Sequence, residues 1–319
     1  MPGSDERIRM SAGVEPAQAG MRLDQAAAEL FGDFSRARLQ KWIRGGELRV
    51  DGQVLKPTYR VHGGERLELD AEPEYREDVL PERIPLDIIH ADDDIIVLDK
   101  PPGLVVHPAA GNLDGTLQNA LLNFDPRLAA LPRAGIVHRL DKDTSGVMVV
   151  ARSLKAHASL VAQLQDRSMS REYEAVVHGI TRKQGTIEAP IGRNPHERQR
   201  MAVVPGGRPA VSHYRLLNAF RHFSHVRVAL ESGRTHQIRV HMQHIGHPLV
   251  GDPQYGRKTP APKQLSAGAY EAVSQFPRQA LHACKLSLKH PEKQVQCEFH
   301  APVAEDLAGL IRVLEATDV

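Results

Sequence analysis

Hydrophobic and polar positions change rhythm several times along the chain. Over residues 36–44 the pattern is helical. Leu39, Trp42 and Ile43 fall on one arc, while Arg36, Arg38, Lys41 and Arg44 share the other with no acid among them. Ser35 stands where an N-cap belongs, and Gly45-Gly46 closes the helix. Leu48-Arg49-Val50 and Gln53-Val54-Leu55 flank Asp51-Gly52, which predicts a two-residue hairpin. A strand is predicted at 66–69.

Beyond residue 85 the rhythm mixes short strands with helices. Strands are predicted at 88–90, 95–99, 104–107, 146–152, 172–178 and 226–231. Helices are predicted at 116–124 and at 153–167, the second capped by Ser153. The unbroken apolar run Val147 to Val150 reads as a strand covered on both faces. Strands outnumber helices without regular alternation, which predicts an α+β domain with a mixed, largely antiparallel sheet.

The same pattern divides the chain. Residues 1–19 are small, polar and aperiodic and are expected to be disordered. A compact unit spans 20–71, the acidic and proline-bearing stretch 72–84 reads as a linker, and 85–319 forms one larger domain. With 41% hydrophobic and 25% charged residues among 319, the composition is that of a globular protein. The formal charge of +2 is too small to indicate a polyanionic partner, so local segregation matters more. Cys284 and Cys297 are the only cysteines, which argues against a disulfide framework or thiolate zinc site and for a reducing, cytoplasmic setting. The first residues lack the apolar core of a signal peptide, and no apolar run is long enough to span a membrane.

One polar stretch draws attention to chemistry. His138-Arg139-Leu140-Asp141-Lys142-Asp143-Thr144-Ser145 leads into the buried strand, and loops on a rigid scaffold are where reactive side chains sit. By spacing alone a surface loop of salt bridges is the favoured reading. The histidines at 236, 241, 244 and 247 crowd together. They lack an H-E-x-x-H pattern or a thiolate, and Ile238, Met242 and Ile245 make that segment's buried stripe, so no metal site is expected.

Resemblance adds weight that spacing does not. Arg22-Leu23-Asp24, the run SRARLQKWIRGGELRVDG and the later GGERLEL are similar to the S4 RNA-binding domain. HRLDKDTSG, together with KPPGLVVHP (100–108), Arg171-Glu172-Tyr173, SGRTHQIRVH (232–241) and HPLVGDPQYG, resembles the ribosomal large-subunit pseudouridine synthase family in order and register. The likeness covers about residues 21–305. It implies an isomerase that converts uridines of large-subunit ribosomal RNA, free or in the assembling subunit, to pseudouridine without a cofactor.

The resemblance also implies roles. Asp141 is the catalytic aspartate, acting either as a nucleophile at C1′ or as a base at C2′. Arg234 is its cationic partner, and Tyr173 packs on the uracil and assists loss of the C5 proton. The target base leaves its stack, Arg139 fills the vacated space, and Ile238 lines the base pocket. Arg36, Arg38, Lys41 and Arg44 are expected to face RNA phosphates. Nothing in the sequence calls for more than a monomer. A glycosidase also attacks an anomeric centre with paired carboxylates, but Asp141 and Asp143 stand too close in sequence to flank a sugar, and such an enzyme has no use for the S4-like unit.

Overall fold

A computed structural model describes residues 8–31, 34, 36–71, 79–109, 112–197, 199–256 and 265–316. These form two compact units, Met1–Asp78 and Val79–Val319. Ser35, expected as a cap, lies outside the described residues, as do residues 1–7 and most of the expected linker.

In the smaller unit, helices α1 (Leu23–Leu30) and α2 (Arg36–Gly45) accompany a sheet of β1 (Ile8–Gly13), β2 (Leu48–Val50) and β3 (Arg66–Ala71) in the order β1-β3-β2. Two expectations are corrected here. The chain from Ile8 is not disordered: β1 pairs antiparallel with β3 from Ile8↔Ala71 to Gly13↔Arg66. Its alternation of part-buried and exposed positions is too weakly apolar to be legible without the partner strand. The turn at Asp51-Gly52 forms, with φ of 48° and 74°, but 53–55 make only one bridge, Val50↔Gln53, instead of a second hairpin strand. β2 pairs with β3, whose Leu67, Leu69 and Ala71 alternate into the core and leave no use for a closer partner.

Trp42, Leu39 and Ile43 bury one side of α2 against Leu23, Ala26 and Ala27 of α1. Asp24 is fully buried between the helices, accepting from Arg22, Gln40 and Arg36. Burial alone would raise its pKa. These hydrogen bonds overcome it and hold the carboxyl at about 2.

The larger unit is built on one sheet. Its strands are β4 (Asp87–Ala91), β5 (Ile95–Lys100), β6 (Ser145–Ala151), β7 (Ser170–His178), β8 (Gln184–Glu188), β11 (Val211–Phe220), β12 (Phe223–Leu230), β13 (Leu281–Lys289) and β14 (Gln296–His300). The order is β4-β5-β6-β13-β7-β12-β11-β8, with β14 also on β13. A separate pair, β9 (Ile191–Arg193) and β10 (Met201–Val203), stands apart. Helices α3 (Leu117–Phe124), α4 (Leu154–Gln165), α5 (Gln237–His244), α6 (Ala267–Ser274) and α7 (Glu305–Ala316) complete the unit. All neighbours in the large sheet are antiparallel except β6 and β13, so the expected α+β, mixed and largely antiparallel architecture is what forms.

β6 is buried along its whole length, as its unbroken apolar run requires. Each Val or Met side chain so removed from water contributes about 1.5–3 kcal/mol. Gly146 is indispensable at the parallel junction. A Cβ there would lie 2.2 Å from the Ala283 carbonyl oxygen, and its φ of 116° excludes ordinary side chains. α4 starts at the cap expected for it, Ser153 Oγ accepting from Ala156 N–H, and Thr116, expected as the first residue of α3, caps it instead, its Oγ1 accepting from Asn119 N–H. The strand expected at 104–107 is instead a loop with a single bridge, Val105↔Thr116. It is tied to the loop carrying Asp141 through Gly103 N–H, which donates to the Lys142 carbonyl at 2.9 Å. No helix among the described residues is long and apolar enough to cross a membrane.

Candidate active site

The polar loop that precedes β6 delivers Asp141 to a cavity of about 390 Å³. Arg139, Tyr173, Arg234 and Ile238, all singled out from the sequence, line the same cavity, along with His107, His138, His236 and Arg239. Two backbone clamps fix the loop. The Lys100 ammonium is fully buried and donates to the carbonyls of Pro101 (2.7 Å), Leu104 (3.0 Å) and Lys142 (2.9 Å). Burial pushes its pKa down to about 7, while three carbonyl acceptors favour the charged form. On the other side Arg278 donates to the Asp143 carbonyl at 3.0 Å and pairs with Asp306.

The cationic partner of Asp141 is Arg239. Its Nη1 donates to Asp141 Oδ2 at 3.1 Å, and its Nε and Nη2 fork onto Asp252 at 2.7 and 2.9 Å. Arg234, expected in that role, points elsewhere: its Nε donates to the Pro209 carbonyl at 3.2 Å. The reason is local. His236 caps α5 in the left-handed region with φ of 57°, so Arg234 stays on the turn outside while Arg239 enters the helix among Ile238, Val240 and Met242. A charge buried there needs an acid, and Asp252 supplies one from the stretch HPLVGDPQYG. That requirement is the signal by which the sequence could have favoured Arg239.

Two histidines of the cavity, His236 and His138, are held neutral by burial at neutral pH. His236 Nδ1 and the Tyr255 hydroxyl are hydrogen-bonded at 2.8 Å, and His236 Nε2 stands 3.8 Å from Asp141 Oδ1. Burial lowers its pKa despite the nearby carboxylate. His138 Nε2 accepts from Val149 N–H, and burial with the nearby Arg171 charge pushes the ring down to about 3. Its proton therefore sits on Nδ1. Tyr173 is buried, which raises its pKa, with Arg171 opposing the shift. Ile238 is buried on the cavity wall, and Arg139 is exposed at its rim.

A model of the RNA pseudouridylate synthase family matches residues 94–244, and the S4 domain model matches 21–67. The ribosomal large subunit pseudouridine synthase D of Pseudomonas aeruginosa is 55% identical over 309 residues, covering 97% of each chain. The chain belongs to the ribosomal large-subunit pseudouridine synthase family. Its counterpart in Escherichia coli strain K12 is 51% identical, covering 98% of this chain and 96% of that one. The solved structure of human RNA pseudouridylate synthase domain containing 1 is 26% identical, with a TM-score of 0.53, covering 74% of this chain and 97% of that one. That of domain containing 4 is 23% identical with a TM-score of 0.57 over 72% and 93%, a likeness of fold.

In this synthase the metal alternative fails on donor chemistry. His241 has both nitrogens engaged, Nδ1 with Ser212 Oγ and Nε2 with the Ala189 carbonyl. Asp92, Asp94 and His290 also lie close enough to share an ion. However, His290 Nδ1 accepts from the N–H groups of Glu292 and Lys293, so Nε2 is a donor to Asp92 and offers no lone pair. In the S4 unit Arg36 is spent on Asp24, at 2.7 Å. Arg38 stacks over Trp42, and Arg44 reaches Gln40.

Proposed function

We propose that this enzyme isomerises uridines of large-subunit ribosomal RNA to pseudouridine, with Asp141 acting at the ribose. The observation that carries this reading is the Asp141–Arg239 pair, one oxygen held and the other open toward His236 in a cavity of nucleoside size. A carboxylate held by a partner that is itself anchored keeps its charge and direction while the base is drawn in. The relatives' names supply the large-subunit target.

In this reading the flipped uracil packs on Tyr173 and Ile238, and Arg139 occupies the space it leaves in the RNA. Arg234 lies on the cavity's outer turn, where it suits a phosphate better than Asp141. Residues 20–71 dock RNA through Arg38, Lys41 and Arg44, residues 72–84 link, and 85–319 catalyse. Arg36 contributes chiefly by holding Asp24. The enzyme works as a cytoplasmic monomer without a cofactor.

The test is Asp141→Ala assayed for RNA binding and for tritium release from C5-labelled uridine. Binding is expected to persist while release disappears. Retained release would remove Asp141 from the chemistry.

A further inference from the structure

Arg171 stands on the cavity wall and has no role in the chemistry so far. Alternation along β7 puts Arg171 and Tyr173 on the same face, and both line the cavity. Arg171 is only 9% exposed, and its Nε is buried without a hydrogen-bond partner. Among the described residues no hydrogen bond or ion pair engages its guanidinium. The acid that shares the cavity, Asp141, is committed to Arg239.

A buried guanidinium with unused donors is costly, and the cost is relieved when acceptors arrive. The site makes room for it. A Cβ on Gly233 would fall 2.7 Å from Arg171 Nη1, so the glycine of SGRTH provides space for the guanidinium. On the rim Arg133 is exposed and can meet phosphates, while Arg139 takes the space the base vacates. Arg171, beside Tyr173, can meet only what enters the cavity, which is the base.

When the N1–C1′ bond breaks, by either route open to Asp141, its electron pair stays on the uracil and spreads over N1, O2 and O4. We propose that Arg171 is a catalytic residue whose guanidinium donates to a carbonyl oxygen of the detached uracil and stabilises this anion until C5 is presented to the ribose. The pair then forms the C5–C1′ bond as the Asp141–C1′ bond breaks or, on the other route, as C2′ regains its proton, and loss of the C5 proton to a base with gain of a proton at N1 gives the neutral pseudouridine. This deepens, and rests on, the reading of Asp141 as the group acting at the ribose.

The test compares Arg171→Met and Arg171→Lys with the unaltered enzyme, each at saturating RNA carrying either uridine or 5-fluorouridine at the target. Fluorine withdraws charge from the leaving anion and so replaces part of what the guanidinium supplies. Arg171→Met is expected to slow consumption of the uridine substrate by about 100-fold with unchanged RNA affinity, and that of the fluorinated one by about 10-fold or less. Arg171→Lys should fall between. Equal losses on both substrates, or weakened binding with kcat preserved, would overturn the proposal. If Arg171→Met does not fold, Arg171→Lys decides by the same comparison of substrates. Asp141→Ala, run alongside, reports separately on the underlying reading, since its turnover of either substrate would sink that reading whatever Arg171 does.

Discussion

Arg239 donates to Asp141 across 3.1 Å while its other edge is fixed by Asp252, so the reactive carboxylate is oriented by a cation that cannot itself swing away. Such a bridge between two acids is worth more to geometry than to stability, because the buried fork removes the freedom of a long side chain.

Arg239→Met is therefore expected to lower kcat by about 100-fold or more, the scale of losing a fixed electrostatic partner, with little change in RNA affinity. Arg234→Met should instead act mainly on KM, by less than about 10-fold, as a rim contact would. Steady-state kinetics of the two variants on one short RNA distinguish them. The opposite ranking would return the partner's role to Arg234.

Tyr173 has its pKa raised from 10.0 by burial. A raised pKa keeps the phenol protonated to higher pH, so its ionisation should produce no alkaline limb in the rate profile below about pH 10. Tyr173→Phe should bind RNA normally and slow product formation by about 10-fold or more if the hydroxyl helps move the C5 proton. A profile of kcat against pH for both enzymes checks this. An alkaline limb near pH 9 that vanishes in Tyr173→Phe would contradict it.

Asp24 has its pKa lowered from 3.8 to about 2. A depressed carboxyl stabilises the fold above its unfolded pKa, and that contribution is lost as pH falls through the folded value. Asp24→Asn should destabilise the S4 unit by about 2 kcal/mol at pH 7, the worth of charge-assisted hydrogen bonds. The difference from the unaltered protein should shrink between about pH 4 and pH 2. Denaturant melts over that range measure it, and a gap independent of pH would show that packing, not charge, is what Asp24 supplies.

The double variant Arg38→Glu, Lys41→Glu should weaken binding to structured RNA and flatten its dependence on salt, because fewer counterions are released. Turnover at saturating RNA should hardly change. An unaltered salt slope would place the RNA elsewhere on the protein.

Much of this molecule is legible along the chain. Local apolar rhythm specifies α2, α3, α4 and β6, with Ser153 marking the start of α4, because each depends on neighbours within a few positions. The resemblance picks out Asp141, Tyr173, Arg139 and Ile238, and the fold gathers all four around one cavity. β1 and the pairing of β2 with β3 are not legible, since a strand's partner is chosen by burial at a distance.

The same limit explains the exchange of Arg234 for Arg239. Both arginines sit in SGRTHQIRVH, the stretch whose resemblance implied Arg234 as the partner of Asp141. Which arginine it is depends on the left-handed turn at His236 and on Asp252, 111 residues beyond Asp141 in a chain of 319. Only the tertiary structure brings those groups together, because a buried charge settles where its acids converge, and convergence is not a property of any one segment.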